Sequence, residues 1–260
     1  MTQSSLGIIV PSLNEANNIQ QLLFKIIHTL KSVDYTICVV DDGSTDQTIP
    51  IVKALATGND HIHLIQRVKT KMGCQRGGAS RFALEWLINN THHDLFVEID
   101  ADGAHQPEEL LDGLTYHGFL GFDIVIASKY VYGSKVIGRS WSRRCISLCY
   151  SYLARLLIKH TIRDFSNSFR FYSRPAAMCL LKINPRYTSP IYLLEMLTTW
   201  ITNNFRIIEV PTMYIERNAG HSKVKFIDLI KGFLGMLFIA VRYHCGKYRL
   251  QRSVISGFKE

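Results

Sequence analysis

Two aspartates one residue apart, in Asp100-Ala101-Asp102-Gly103, follow an apolar run and precede His105 and Pro107-Glu108-Glu109. The run, Leu95-Phe96-Val97-Glu98-Ile99, is rich in strand formers, and Pro107 opens a helix, so the order reads strand, acidic loop, helix. On extended backbone, residues two apart share a face, so Asp100 and Asp102 point the same way. Two carboxylates held this close repel each other unless a cation lies between them. Hard oxygen donors of this kind suit Mg²⁺ or Mn²⁺, with a phosphate completing the shell. A solvated acidic turn has the same composition, and both readings stay open at this point.

The elements around this loop repeat a pattern. Gly7-Ile8-Ile9-Val10-Pro11 predicts a buried strand ended by proline, followed by a helix whose apolar positions Ile19, Leu22, Leu23, Ile26, Ile27 and Leu30 keep a 3.6-residue period. Tyr35-Thr36-Ile37-Cys38-Val39-Val40 predicts a second strand ending in Asp41-Asp42-Gly43-Ser44-Thr45-Asp46, with Asp46 placed to cap the next helix. A third strand at 62–65, a basic loop at 67–76 and a helix at 77–88 lead to the acidic loop. Strands and helices alternating at this spacing predict an α/β chain with a mainly parallel sheet covered on both faces. Ligands of such sheets lie beyond the carboxyl ends of the strands. Asn14-Glu15, Asp41-Asp42 and Asp100-Asp102 each follow a strand and should therefore converge on one crevice.

Composition narrows the partners. The chain has 260 residues, 47% hydrophobic, enough for one large domain, and no linker or repeat divides it. A formal charge of +9 points to an anionic partner: a phosphorylated substrate, an anionic membrane surface or nucleic acid. No nucleic-acid recognition module accompanies the charge. Six scattered cysteines without a Cys-X-X-Cys pair signal neither a zinc site nor a disulfide framework, which points to a reducing cytoplasmic setting. The first apolar run is too short for a signal peptide, and no run reaches the length of a spanning helix. His61, His63, His92 and His93 have ligand-like composition without a third partner and are expected at the surface, whereas His105 belongs to the acidic loop.

Taken together, Val10-Pro11-Ser12-Leu13-Asn14-Glu15, Val39-Val40-Asp41-Asp42-Gly43-Ser44-Thr45-Asp46 and Asp100-Ala101-Asp102-Gly103 with His105 and Pro107 resemble the family 2 glycosyltransferases of GT-A fold. Within that family they are most similar to the dolichyl-phosphate and polyprenyl-phosphate mannose synthases. The resemblance covers residues 7–223 and implies a nucleotide-sugar donor. It puts Pro11, Leu13, Glu15, Asp41 and Asp42 around base and ribose, where carboxylates accept from N–H and hydroxyl groups. It puts the divalent ion, Mg²⁺ or Mn²⁺, on Asp100 and Asp102. Where many mannose synthases carry Gln as a further ligand this chain has Ala104, which leaves that position to water.

The second half carries the acceptor side of the resemblance. Ala127-Ser128-Lys129-Tyr130 is similar to the family's Gly-Ser-Arg-Tyr, with a point charge in place of a planar fork. Arg143 and Ser147, four apart on one helical face, match an Arg and Ser that hold the lipid phosphate, with Arg139 and Arg144 beside them. Asp164-Phe165-Ser166-Asn167-Ser168-Phe169-Arg170 resembles the family's Asp-X-X-Ser-Gly-Phe-Arg strand and puts Asp164 on the acceptor side. Glu195 matches a helical Glu facing the site. Glu209-Val210-Pro211 should end the last strand, and Arg217 and Lys223 match a cationic lid that closes on the departing diphosphate. Residues 224–260 form a second unit: a helix apolar over most of its circumference with a basic tail, suited to a membrane interface or to docking on another subunit.

The expected reaction is inverting, metal-dependent transfer of a hexose onto polyprenyl or dolichyl phosphate, with GDP-mannose the expected donor. Asp102, Arg217 and Lys223 would stabilise the leaving diphosphate. UDP-glucose or another donor is the alternative within that chemistry, and a non-catalytic nucleotide-sugar-binding protein is the alternative outside it. The expected setting is the cytosolic face of a membrane, with or without a small membrane subunit.

Overall fold

The computed structural model describes residues 5–67, 75–216 and 226–258. Strands β1 (Leu6–Ser12), β2 (Tyr35–Asp41), β3 (Ile62–Gln66) and β4 (Leu95–Glu98) alternate with helices α1 (Ile19–Thr29), α2 (Thr48–Thr57) and α3 (Arg76–Asn90). A 3₁₀ turn at Pro107–Glu109 runs into α4 (Leu110–Gly118), then come β5 (Ile124–Ser128), β6 (Lys135–Ile137) and α5 (Trp141–Ile158). The chain continues through β7 (Arg170–Ser173), α6 (Arg174–Ile183), α7 (Tyr192–Thr202), β8 (Ile207–Pro211) and β9 (Met213–Ile215). It closes with α8 (Phe226–His244) and α9 (Arg252–Ser256).

Seven strands form one sheet in the order β3-β2-β1-β4-β7-β5-β8. All neighbours are parallel except β7, which runs antiparallel to both β4 and β5. This is the mainly parallel GT-A architecture. Period-2 alternation divides the core: Ile8, Val10, Ile37 and Val39 face the side of α1, α2 and α4, while Ile9, Cys38 and Val40 face the side of α3, α6 and α7. Because both faces are covered, β1 and β2 are apolar at nearly every position. Pro11 is tolerated because pairing with β4 has already ended at Ile9.

Three local expectations are corrected. The segment 164–169 is a loop, and β7 begins only at Arg170. The Asp164 carboxylate accepts from the amides of Lys129 (3.0 Å), Ser166 (2.9 Å) and Asn167 (2.9 Å), and such side-chain bonds draw backbone away from a ladder. β8 is not the last strand, since β9 follows and pairs with β6 in a separate two-stranded sheet. His93 is buried rather than superficial, with Nε2 2.8 Å from the Thr36 hydroxyl. Asp46 does serve the start of α2, accepting from the Thr48 amide at 3.0 Å.

The helix α8 packs on α5 and α7. Its Met236, Ile239 and Ala240 are buried in the core, while Phe233, Leu234, Leu237, Phe238 and Val241 stay exposed.

Candidate functional site

The loops after β1 and β2 are joined to each other. The Asn14 and Glu15 amides donate to the hydroxyls of Ser44 and Thr48, each at 2.8 Å, and the Ala16 amide donates to Asp46 at 3.1 Å. The Thr45 amide returns a bond to the Asn14 side chain at 2.8 Å. Asn14 sits in the left-handed region at φ 54°, which Asn accepts more readily than most residues, and Gly43 has φ 84°. Asp41 is fully buried and turned into its own loop: it accepts from the amides of Gly43 (2.9 Å) and Ser44 (2.7 Å) and from the Ser44 hydroxyl. Asp42 instead meets Arg67 in a fork, Nε to Oδ1 at 2.8 Å and Nη2 to Oδ2 at 2.9 Å. Pro11, Leu13 and Glu15 line the same sheet edge partly exposed, and Glu15 Oε2 accepts from Asn18 at 3.0 Å.

The acidic loop follows β4 directly. Asp100 and Asp102 are both partly exposed, and each is supported by a protein donor. The Ser168 hydroxyl donates to Asp100 Oδ2 at 3.2 Å, and the Ala104 amide donates to Asp102 Oδ1 at 3.1 Å. His105 is buried with neither ring nitrogen hydrogen-bonded among the described residues, and its Nε2 lies 3.9 Å from Asp100 Oδ2. Burial, with Lys129 and Arg76 nearby, pushes this imidazole well below its ordinary range, so it is neutral. Arg76, the first residue of α3, ion-pairs with Asp100 and with the buried Glu98, the latter at 2.9 Å.

One aromatic residue joins this loop to a cationic cluster. Tyr214 on β9 packs edge-on against His105 at 5.4 Å, and both Lys129 and Arg139 lie 5.5 Å from its ring centre. The Ile215 amide donates to the Ala104 carbonyl at 2.9 Å, tying β9 to the acidic loop. Lys129 is buried beside Asp164 at 3.4 Å. Burial pushes its ammonium down to about 8 against the opposing pull of Asp164. Burial would raise Asp164, but Lys129 and the amides around it hold it below the ordinary carboxylate range. Ser147 is buried between the Tyr130 hydroxyl at 2.6 Å and the Ser166 hydroxyl at 2.8 Å. Arg143, one turn earlier on α5, is half exposed and pairs with Glu216.

The family model described as "Glycosyl transferase family 2" matches residues 7–181. The chain belongs to this family. Among curated proteins it is 34% identical over 230 residues to the polyprenol monophosphomannose synthase of Mycolicibacterium smegmatis, a match covering 86% of this chain and 82% of that one. It is 31% identical over 218 residues to the undecaprenyl-phosphate mannosyltransferase of Micrococcus luteus, covering 83% and 86%. Among solved structures, glucosyl-3-phosphoglycerate synthase from Mycobacterium tuberculosis, in complex with Mn²⁺, UDP and glucosyl-3-phosphoglycerate, superposes with a TM-score of 0.65. That match has 18% identity over 94% of this chain and 80% of the other, a likeness of fold.

In this family 2 glycosyltransferase the three acidic loops do gather at one edge of the sheet, as their positions after β1, β2 and β4 require. Arg217 and Lys223 lie outside the described residues. Glu195 does not point into the cleft: its carboxylate accepts from the Arg186 (2.8 Å) and Tyr187 (3.0 Å) amides and from the Tyr248 hydroxyl (3.0 Å), anchoring the C-terminal segment. Sequence reasoning missed Arg67, Arg76, Glu98, Tyr214 and Glu216. The signal for the two arginines was available, since they bracket the basic loop, but their partners lie 22 to 25 residues away in sequence.

Proposed function

We propose that this glycosyltransferase transfers a hexose, mannose from GDP-mannose, to the phosphate of a polyprenyl or dolichyl phosphate, with inversion at the anomeric carbon. The carrying observation is the adjacency at Tyr214: an acidic loop suited to a donor diphosphate with its ion meets it through His105, and the Lys129 and Arg139 cations suited to an anionic acceptor lie against its ring, with Arg143 tied to Glu216 two residues further on. The names of the two curated relatives support the lipid-phosphate acceptor and the mannosyl group.

The acidic loop fits a divalent ion. Two hard carboxylates share one edge, and the buried imidazole of His105 beside them lacks a hydrogen-bond partner among the described residues. Among those residues no third carboxylate, thiol or imidazole completes a cage, which leaves room for water and phosphate oxygens. Asp100 and Asp102 would hold Mg²⁺ or Mn²⁺, and the solved neighbour with Mn²⁺ supports that assignment. When bound, such an ion supplies electrostatic stabilisation of a leaving diphosphate. Arg217 and Lys223 supply further positive charge in this reading.

The protein's own groups do the remainder. The joined loops of β1 and β2 seat the nucleoside beside Pro11, Leu13, Glu15 and Asp42, while Asp41, expected at the nucleoside, is fully buried and braces the loop from within. Lys129 and Arg143 hold the acceptor phosphate, with Asp164 fixing Lys129 in place and the buried Ser147, expected on the phosphate, instead bracing α5 through the Tyr130 and Ser166 hydroxyls. The acceptor oxygen forms a bond to the anomeric carbon as the bond to the donor phosphate breaks from the opposite face, through an oxocarbenium-like transition state. A phosphate monoester with a second pKa of roughly 6 is already largely anionic near neutral pH. No general base is required, consistent with a neutral His105 and with carboxylates already engaged in structural bonds.

The acceptor is a membrane lipid, so the protein works at a membrane surface, in this reading the cytosolic one. No helix of the described residues is long and apolar enough to cross a bilayer. The segment 224–260 provides the docking unit through the exposed apolar face of α8, which a small membrane subunit can also occupy.

The test is transfer of radiolabelled mannose from GDP-mannose into an organic-extractable polyprenyl-phosphate product, with UDP-glucose in parallel, with Mg²⁺ or Mn²⁺ and with EDTA. Metal-dependent lipid label from GDP-mannose is expected, and Asp102→Ala should reduce it by about 10²–10³, the scale of one lost electrostatic contact to the transition state. Label from UDP-glucose alone would replace the donor. Nucleotide-sugar binding with no label from either donor would leave a binding protein instead of an enzyme.

A further inference from the structure

Arg76 is a cation where helix electrostatics disfavours one. It is the first residue of α3, whose first turn holds no acidic residue, and a helix N-terminus carries partial positive charge. Helix stability therefore does not account for it. What holds it is Glu98, buried and 1% exposed, which accepts from Arg76 Nε at 3.0 Å and lies 2.9 Å from Nη2 as an ion pair, on the same oxygen that receives the Tyr192 hydroxyl. The backbone is seated as well: the Gly77 amide donates to Thr188 at 2.9 Å, and a Cβ on Gly77 would lie 2.5 Å from Tyr192 Cγ. Glu98 and Asp100 are two apart on β4 and its extension, so one guanidinium spans both. Asp102 adds to the negative field at the same group.

We propose that Arg76 is the tethered counter-ion of the Asp100-Asp102 pair, occupying Asp100 in the empty enzyme so that a divalent ion binds weakly alone and tightly only together with the donor diphosphate. This deepens the donor-site reading and rests on it. The charge count supports it. Glu98, Asp100 and Asp102 face one guanidinium, so the empty site is acidic but already partly neutralised. An entering ion must share Asp100 with Arg76, which opposes binding. Once it is in, ion and guanidinium together offset all three carboxylates, and an anionic diphosphate meets a neutral rather than a negative site. Two ligands that each improve the field for the other are thermodynamically coupled, and the coupling is reciprocal. Removing the guanidinium relieves the competition and weakens the coupling at once.

The experiment is Mn²⁺ binding to the full chain, read by electron paramagnetic resonance of free Mn²⁺, alone and with saturating GDP or UDP. Arg76→Gln leaves Glu98 buried without its partner and can cost folding, so Arg76→Gln/Glu98→Gln, which removes both charges, is measured beside it. In either variant Mn²⁺ alone should bind about fivefold or more tighter than in the wild type, the scale of one lost ion pair. In Arg76→Gln the factor by which nucleotide tightens Mn²⁺ should shrink by a similar amount, whereas in the double variant, where the ion again offsets the two remaining carboxylates, that factor should stay near the wild-type value. Unchanged or weaker binding of Mn²⁺ alone in both variants would overturn the proposal while leaving the donor site intact. A chain that takes no Mn²⁺ in any form, even with nucleotide, would overturn the metal assignment and this inference with it.

Discussion

Lys129 Nζ lies 3.4 Å from the carboxylate of Asp164, and neither side chain is more than 4% exposed. The pair sits behind the cationic side of the cleft and closes the loop that precedes β7.

Its titration should be visible in both stability and function. The folded lysine value, about 8, lies below the ordinary 10.5. Between those values the unfolded chain binds more protons, so this group's contribution to stability rises with pH across that window and is flat below it. Its charge runs the other way, being lost as pH passes 8. KM for polyprenyl phosphate should therefore rise above that pH, and Lys129→Arg, which stays charged, should remove the rise. A KM profile of wild type that is flat across the window would refute a direct role for Lys129 in acceptor binding.

Arg143 and Ser147 occupy successive turns of α5 but different surroundings. Arg143 is reachable and Ser147 is buried among hydroxyls. A hydrogen bond to a charged group contributes about 1.5–3 kcal/mol, so Arg143→Ala should raise KM for the lipid phosphate about ten- to one-hundred-fold with little change in nucleotide binding. Glu216→Gln, which releases Arg143 from its ion pair, should lower that KM. Equal loss of nucleotide and acceptor binding in Arg143→Ala would point to a structural role instead.

Gly77 is required by contact. An added Cβ would meet three atoms of Tyr192 within 2.8 Å. Overpacking of this kind costs about 1–3 kcal/mol, so Gly77→Ala should lower the midpoint of denaturant unfolding accordingly. It should also disturb Arg76, its neighbour. A variant as stable as wild type would show that α3 shifts freely on α7.

The exposed faces of α5 and α8 carry Trp141, Leu148, Tyr152 and Leu156 beside Phe233, Leu234, Leu237 and Val241. An anionic vesicle should bind the protein through them. Trp141→Ser with Leu237→Ser should weaken vesicle co-sedimentation about tenfold or more, since burial of one such side chain is worth about 1.5–3 kcal/mol. Retained vesicle binding in the double variant would direct attention to a protein partner or to another face.

Short-range chemistry is written in the chain itself. The continuous apolar runs of β1 and β2, the 3.6-residue period of α1 and the turn residues at Asp41-Asp42-Gly43 and Asp100-Ala101-Asp102-Gly103 announce their own conformation, because each depends on neighbours a few residues away. The convergence of three acidic loops followed from parallel topology alone. Other features needed the tertiary structure. The antiparallel insertion of β7 between β4 and β5 depends on pairing Arg170 with Glu98 and Ile126, both distant in the chain. The turning of Asp41 into its own loop, the seating of Arg67 on Asp42 and of Arg76 on Glu98 and Asp100, and the withdrawal of Glu195 toward Tyr248 each select one partner among several that composition allows. A charged side chain pairs with whatever opposite charge the fold leaves within reach in a desolvated place. The residue types of the site are therefore legible in the chain, whereas its ion pairs are set by packing.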